Sequence, residues 1–167
     1  LDLPLNADDR ARVRPLLPAS RRYAIVHPGA RLAVRRWSAS GFAAVADRLA
    51  QAGLEVVLTG SEDERALVAS VAAQMRHPAL DLSGRTDIWM LGAALASASV
   101  AVCNNTTVSM MAAALGTRSV VASQAGEVDR GPPLDPQRHR VFTPGSDAHA
   151  AELLAQAALA LADEELA

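Results

Sequence analysis

Ser99-Val100-Ala101-Val102-Cys103-Asn104-Asn105-Thr106-Thr107-Val108, continuing through Met110-Met111-Ala112-Ala113-Ala114-Leu115 to Gly116, is the stretch that decides the fold. Residues 99–103 form a short apolar, valine-rich run of the kind found in strands buried on both faces of a sheet. A polar turn follows, and from about Thr106 the chain becomes an alanine-rich helix that Gly116 stops. Strand, polar turn and helix in that order make one β/α unit.

The same unit recurs on both sides. Residues 23–26, 55–59 and 119–122 are β-branched-rich runs, and 79–82 and 140–142 are weaker strand candidates. Between them lie helices. Ser38 is an N-cap for a helix that spaces Phe42, Val45, Ala46, Leu49 and Ala50 on one face before Gly53. Ser61 and Glu64 have capping-box spacing ahead of Leu67, Val68, Val71 and Met75, a helix expected to end at His77-Pro78. A third helix is expected from about Thr86 to Ser97 and a last one from Ser146-Asp147 into the tail. About six such units joined by right-handed crossovers predict an α/β, Rossmann-like fold, a parallel sheet with helices on both faces.

The ends and the longest connection read differently. Residues 1–20 carry a short helix signal from Asn6 to Arg14, stopped by Pro15 and Pro18, and are expected to be a linker from an upstream domain, with residues 21–167 forming the α/β domain. The chain opens on Leu1, which suggests a piece of something longer. Residues 123–139 hold three prolines and two glycines without periodicity, the composition of a site loop or a disordered connection.

Composition removes several functions. With 167 residues, half of them apolar, one domain with an ample core is expected. A net charge of −2 supplies no positive field for DNA or RNA, so no nucleic-acid partner is expected. All 16 basic residues are arginine, a bias of genome composition. A lone cysteine, Cys103, at the end of a buried strand reads as packing in a reducing cytoplasm, not as a disulfide or a nucleophile. No signal peptide or membrane-spanning run is evident, so a soluble chain is expected. His27, His77, His139 and His149 are scattered, so no metal is expected. The glycine fingerprints of dinucleotide and P-loop sites and the G-x-S-x-G elbow are all missing from the sequence.

In an open parallel sheet, ligands bind outside the carboxyl ends of the strands, where strand order reverses. The loops after the strands are therefore the candidate site. The first, from His27-Pro28-Gly29-Ala30-Arg31 to Arg35-Arg36-Trp37, brings arginines beside a glycine that admits close backbone approach, which suits an anion; it also reads as a solvated basic loop with Trp37 under the next helix. The second holds Glu62 and Glu64, either ribose-binding carboxylates or helix-capping residues. The third is Gly84-Arg85-Thr86-Asp87. The fourth, Asn104-Asn105-Thr106-Thr107, opens a helix whose amides suit a phosphate or serve only as a cap.

These pieces, in order, resemble the C-terminal half of family 9 glycosyltransferases, the ADP-heptose:lipopolysaccharide heptosyltransferases and their relatives. The resemblance spans roughly residues 20–122: His27 to Arg31, Arg36-Trp37, Val56 to Ser61 with Glu64-Arg65, Leu82 to Thr86, and Asn104-Asn105-Thr106 with Ala112 to Gly116. It implies one half of a two-domain GT-B enzyme. This half would grip a nucleotide-diphosphate sugar, while a missing N-terminal domain holds a glycan or lipid-linked acceptor and supplies the catalytic residue. It further implies that His27, Gly29 and Ala30 lie against the donor diphosphate, with Arg35 or Arg36 offsetting its charge. Glu62 or Glu64 would reach the ribose, and Arg85, Thr86 and Asp87 would line the base. Thr106 and Thr107 would offer amides to phosphate and Asn105 would meet the sugar. No cofactor and no metal is implied, the setting is the cytoplasm or the inner-membrane periphery, and this chain alone is expected to bind donor without turning it over.

The last loop departs from the family pattern, approximately Asn-Asp-Thr-Gly-Pro-Met-His. Asn105 stands for its acid, Thr107 for its glycine and Met110 for its histidine. Such changes imply either a different donor or a decayed site, and the alternative function is a non-catalytic interaction or carbohydrate-recognition module of the same fold.

Overall fold

The protein is described by a computed structural model covering residues 3–20, 22–124, 135–145 and 148–164. Its strands are β1 (Tyr23–His27), β2 (Glu55–Leu58), β3 (Leu80–Asp81), β4 (Val100–Asn104), β5 (Ser119–Ala122) and β6 (His139–Phe142). The helices are α1 (Ala7–Val13), α2 (Ala39–Gln51), α3 (Arg65–Gln74), α4 (Ile88–Ala96), α5 (Thr107–Leu115) and α6 (Ala148–Asp163). Every strand pair is parallel and the order is β3-β2-β1-β4-β5-β6, the doubly wound arrangement expected of a Rossmann-like sheet.

Alternating side chains divide the core in two. Ala24, Val26, Val56, Leu58, Val100, Val102, Val120 and Ala122 face α2, α3 and α6, whereas Tyr23, Ile25, Val57, Ala101, Cys103 and Val121 face α1, α4 and α5. Phe42 and Leu49 of α2 are fully buried, each worth about 1.5–3 kcal/mol of burial. α6 returns across the sheet to lie on α2, its Ala150, Ala151, Ala155 and Ala158 allowing close approach, and Glu152 takes both arms of Arg48 at 3.0 Å. On the other face, the Tyr23 hydroxyl donates to the Ala94 carbonyl at 2.6 Å and Thr117 Oγ1 to that of Leu95 at 2.9 Å, fixing the end of α4 to the sheet.

Several boundaries move from where the sequence puts them. β4 begins and ends one residue later than 99–103, because pairing with β5 carries the ladder through Asn104. A 3-10 turn over Glu62–Glu64 precedes α3, which ends at Gln74 and not at His77-Pro78. There the Asp47 carboxylate on α2 accepts the amides of Arg76 and His77 at 2.9–3.0 Å and faces His77 Nδ1 at 3.1 Å, which turns the chain toward β3. The segment expected as a linker holds α1, capped by Asn6, and a 3-10 turn over Arg14–Leu16. Its Leu3, Leu5, Val13, Leu16 and Leu17 pack on the face that α4 covers. Of the long connection, residues 125–134 lie outside the described residues, as does the expected Ser146-Asp147 cap.

Two buried histidines tie stability to pH. His27 and His139 are 7% and 4% exposed, and burial lowers the proton affinity of both below the ordinary 6.5. The unfolded chain therefore binds more protons than the folded one once the pH falls below about 6.5. Urea unfolding at pH 7.5, 6.5 and 5.5 is expected to show stability steady above pH 6.5 and falling below it. Each histidine contributes at most about 1.4 kcal/mol per pH unit. His139→Gln, which keeps a partner for Ser119, should make the decline shallower; an unchanged slope would show that His139 carries none of it.

Candidate functional site

Strand order reverses between β1 and β4, so the ligand crevice of a doubly wound sheet is expected at their carboxyl ends. Asn104, the last residue of β4, organises it. Its side chain is fully buried, and Nδ2 donates to the carbonyls of Pro28 and Gly29 at 2.8 and 3.2 Å while Oδ1 accepts the Trp37 amide at 2.9 Å. One amide thus satisfies three backbone groups of the β1 loop and holds that loop beside the start of α5. In the sequence Asn104 is one of four polar residues of its loop, with no role of its own. The signal present was an amide ending an otherwise apolar strand, whose burial demands partners.

Trp37 is the loop's second anchor. Its indole lies beneath the first turn of α2, close enough to Gly41 that a Cβ there would meet the ring at 2.4 Å, and it packs edge-on to Phe42 with centroids 5.2 Å apart. Nε1 donates to the Gly145 carbonyl at 2.9 Å, joining the β1 loop to the turn before α6. A hollow of about 190 Å³ adjoins that turn, lined by Phe142, Thr143, Pro144 and His149. A larger one of about 530 Å³ lies at the opposite, amino-terminal ends of β2 and β3, against Leu54, Glu55 and Pro78, away from the crevice.

The expected site residues of the β1 loop come together. His27, Gly29 and Ala30 are buried, and Arg35 and Arg36 follow half-buried at the end of a 3-10 turn over Ala33–Arg35. Arg36 Nε donates to the Ala30 carbonyl at 2.9 Å, so this guanidinium also braces the loop from which it extends.

Glu64 reaches the same place from β2. Its Oε2 accepts the Ser61 amide at 2.9 Å, and its carboxylate lies on Gly29 so closely that a Cβ there would overlap it at 2.3 Å. A side chain at position 29 would push that carboxylate from its place. His27 stands between the strands: Nδ1 is 3.0 Å from Thr59 Oγ1, and Nε2 is 3.8 Å from Glu64 Oε2. Desolvation lowers the His27 proton affinity and the Glu64 charge opposes it. Glu62 is farther out, paired with Arg65 at 3.0 Å, and that pair lies over Gly84, whose φ of +66° calls for glycine.

The third and fourth loops are more committed than the sequence suggests. Asp87 accepts the amides of Trp89 and Met90 as the N-cap of α4 and pairs with Arg12 of α1. The Met90 amide, followed by Arg12, holds its carboxyl below the usual range. Arg85 is exposed and Thr86 half-buried beside it. Thr106 caps α5, its own amide donating to Ser109 Oγ at 3.2 Å and its Oγ1 accepting the Val108 amide at 3.3 Å. Ser109, unremarkable in the sequence, thereby takes an amide expected to face a phosphate. Thr107 is exposed on the first turn, and the half-buried Asn105 donates its amide to the Ala122 carbonyl at 3.1 Å. Cys103, beside His27 in the ladder, is buried with its thiol pushed up to about 12. Among the described residues no cluster of His, Cys, Asp or Glu suited to a metal occurs, and no helix is long and apolar enough to cross a membrane.

Solved structures share this architecture. The glycosyl transferase family 9 protein of Veillonella parvula superposes with a TM-score of 0.83 at 18% identity, covering 98% of this chain and 54% of that one. The ADP-heptose LPS heptosyltransferase II of E. coli gives 0.83 at 24% identity, covering 99% and 54%. E. coli heptosyltransferase WaaC, determined with ADP, gives 0.62 at 18% identity, covering 85% and 46%. The chain spans about half the length of the structures it matches. Among curated proteins, none matches it. The family model for glycosyltransferase family 9 (heptosyltransferase) matches residues 1–156, and the chain belongs to that family.

Proposed function

We propose that this chain is the donor-binding half of an inverting glycosyltransferase and that it takes a nucleoside-diphosphate sugar in the crevice between β1 and β4. The observation that carries this reading is the Asn104 clamp, which sets the arginine-bearing β1 loop and the amide end of α5 on one rim. Transfer of the sugar builds negative charge on the departing diphosphate. Arg35 and Arg36 meet that charge from one side and the first turn of α5 from the other, as fixed groups that need little rearrangement. Glu64 accepts ribose hydroxyls, with Glu62 farther out beside the base, and Asn105 meets the sugar. The base lies along Arg85 and Thr86, while Asp87, occupied as a cap, shapes that wall from behind.

The acceptor, a glycan or lipid carrier at the cytoplasmic face of a membrane, and the base that deprotonates it belong to a second domain. A second reading, a non-catalytic module of this fold, draws on Asn105, Thr107 and Met110, which replace an acid, a glycine and a histidine of the family pattern. Because WaaC was determined with ADP, ADP-sugars are the first donors to try.

Titration with ADP-, GDP- and UDP-sugars is expected to show at least one binding with a dissociation constant below roughly 1 mM, about −4 kcal/mol. The double variant Arg35→Ala/Arg36→Ala should weaken it at least about tenfold, a loss of about 1.4 kcal/mol. Unchanged affinity in that variant would remove the arginines from the diphosphate site, and absence of any binding would favour the non-catalytic module. Asn104→Leu should lower unfolding stability by about 1–3 kcal/mol, since three backbone groups lose a buried partner, and weaken donor binding further at a temperature where the variant is folded. Full stability in Asn104→Leu would show that the clamp is dispensable.

A further inference from the structure

His27 is flanked by one fixed anion and, on the reading above, by the seat of another. The Glu64 carboxylate stands 3.8 Å from its Nε2, held by the Ser61 amide and pressed on Gly29. The proposed diphosphate lies against Gly29 and Ala30, one or two residues further along the same loop. Arg35 and Arg36 meet the diphosphate itself, but bringing it toward a pinned carboxylate raises the negative charge around His27 and so favours proton uptake there. The imidazole, 3.8 Å from that carboxylate and at the start of the same loop, is the group placed to respond.

We propose that His27 takes up a proton from solvent when the nucleoside-diphosphate sugar binds, and so acts as a positioning residue that holds Glu64 against the loop and couples donor affinity to pH. The inference rests on the crevice being the diphosphate site. In the empty protein the neutral ring carries its proton on Nε2, pointing at Glu64, while the Thr59 hydroxyl donates to Nδ1; a bare Nε2 would set a lone pair against the carboxylate. The incoming proton joins Nδ1, whose N–H then donates to Thr59 Oγ1 as that hydroxyl rotates. The groups facing His27 from neighbouring elements support this sequence. Thr59, just after β2, and Asn104 on β4 do not titrate, and the Cys103 thiol on β4 stays protonated at neutral pH. Glu64 is the charged group acting on the ring. Arg36 directs its Nε to the Ala30 carbonyl.

The sign follows from linkage. Burial keeps His27 neutral in the empty protein at pH 7, and a bound anion raises its proton affinity. Binding therefore strengthens as the pH falls through the window between the two values.

The test is calorimetry on the 167-residue chain with ADP-glucose, GDP-mannose and UDP-glucose, in two buffers of different ionisation enthalpy at pH 6.5, 7.2 and 8.0. Each phosphorus of these sugar nucleotides carries one ester, the shared anhydride oxygen and one strongly acidic oxygen that stays ionised throughout this range, so any proton exchanged belongs to the protein. The expected result is a binding enthalpy that depends on the buffer, corresponding to net proton uptake, with affinity rising about threefold to tenfold from pH 8.0 to 6.5. Folded His27→Gln should lose both effects. A second readout needs no variant: ring ¹⁵N shifts of His27 should report a higher proton affinity with the sugar nucleotide bound. Binding with a buffer-independent enthalpy, an unshifted His27 ring, or retained uptake in His27→Gln overturns the inference while leaving the diphosphate site standing. No binding of any of the three sugar nucleotides removes the site reading, and this inference with it.

Discussion

The crevice depends on a single side-chain amide. A doubly wound parallel sheet has helices leaving in opposite directions at the point where strand order reverses, and the backbone of the loops there has no ladder in which to place its polar groups. Asn104 supplies those partners from the end of β4. With two carbonyls and one amide of the β1 loop bonded to it, the turn from Pro28 to Trp37 is anchored at both ends and its arginines emerge from a fixed base. An apolar residue there would leave three buried groups without partners, whereas an exposed polar one could not reach them.

Close contact is the second constraint. Gly29 admits the Glu64 carboxylate, Gly41 admits the Trp37 indole, and Gly84 lies under the Glu62–Arg65 pair. Each removes a side chain at a place where a neighbouring one lies against backbone, which lets the loops after β1, β2 and β3 approach one another. The charged groups of the rim are correspondingly committed. Asp87 caps α4 and holds α1 through Arg12, Arg36 braces Ala30, and Glu64 closes the turn before α3. The same groups that we propose meet an anionic nucleotide also keep the rim folded, so loss of one is expected to be felt in both stability and binding.

Burial of titratable groups at the carboxyl ends adds a chemical consequence. His27 and Cys103 are neighbours in the ladder, and burial pushes each toward its uncharged form, the thiol too far to act as a nucleophile at neutral pH. That leaves the rim with fixed positive charge from arginine, fixed negative charge from Glu64, and between the strands one imidazole that can change state. Such an arrangement suits binding a dianion next to a carboxylate without a permanent surplus of charge.

The sequence by itself determined the alternation of strands and helices, because apolar runs of four or five residues and helices with a 3.6-residue stripe are local properties that no neighbour has to supply. The Ser38 and Thr106 caps and the stops at Gly53 and Gly116 were legible for the same reason. The resemblance that fixed the family was carried by motifs in those same loops. What only the tertiary structure decided was which polar groups find each other across distance. Asn104 meets residues 67 to 76 positions away, Arg12 meets Asp87, and Glu64 meets Gly29, and none of these pairings leaves a periodic trace in the chain. Local patterns record what a residue does for its own element. The partners of buried polar atoms are set by the strand order, and strand order exists only once the sheet has formed.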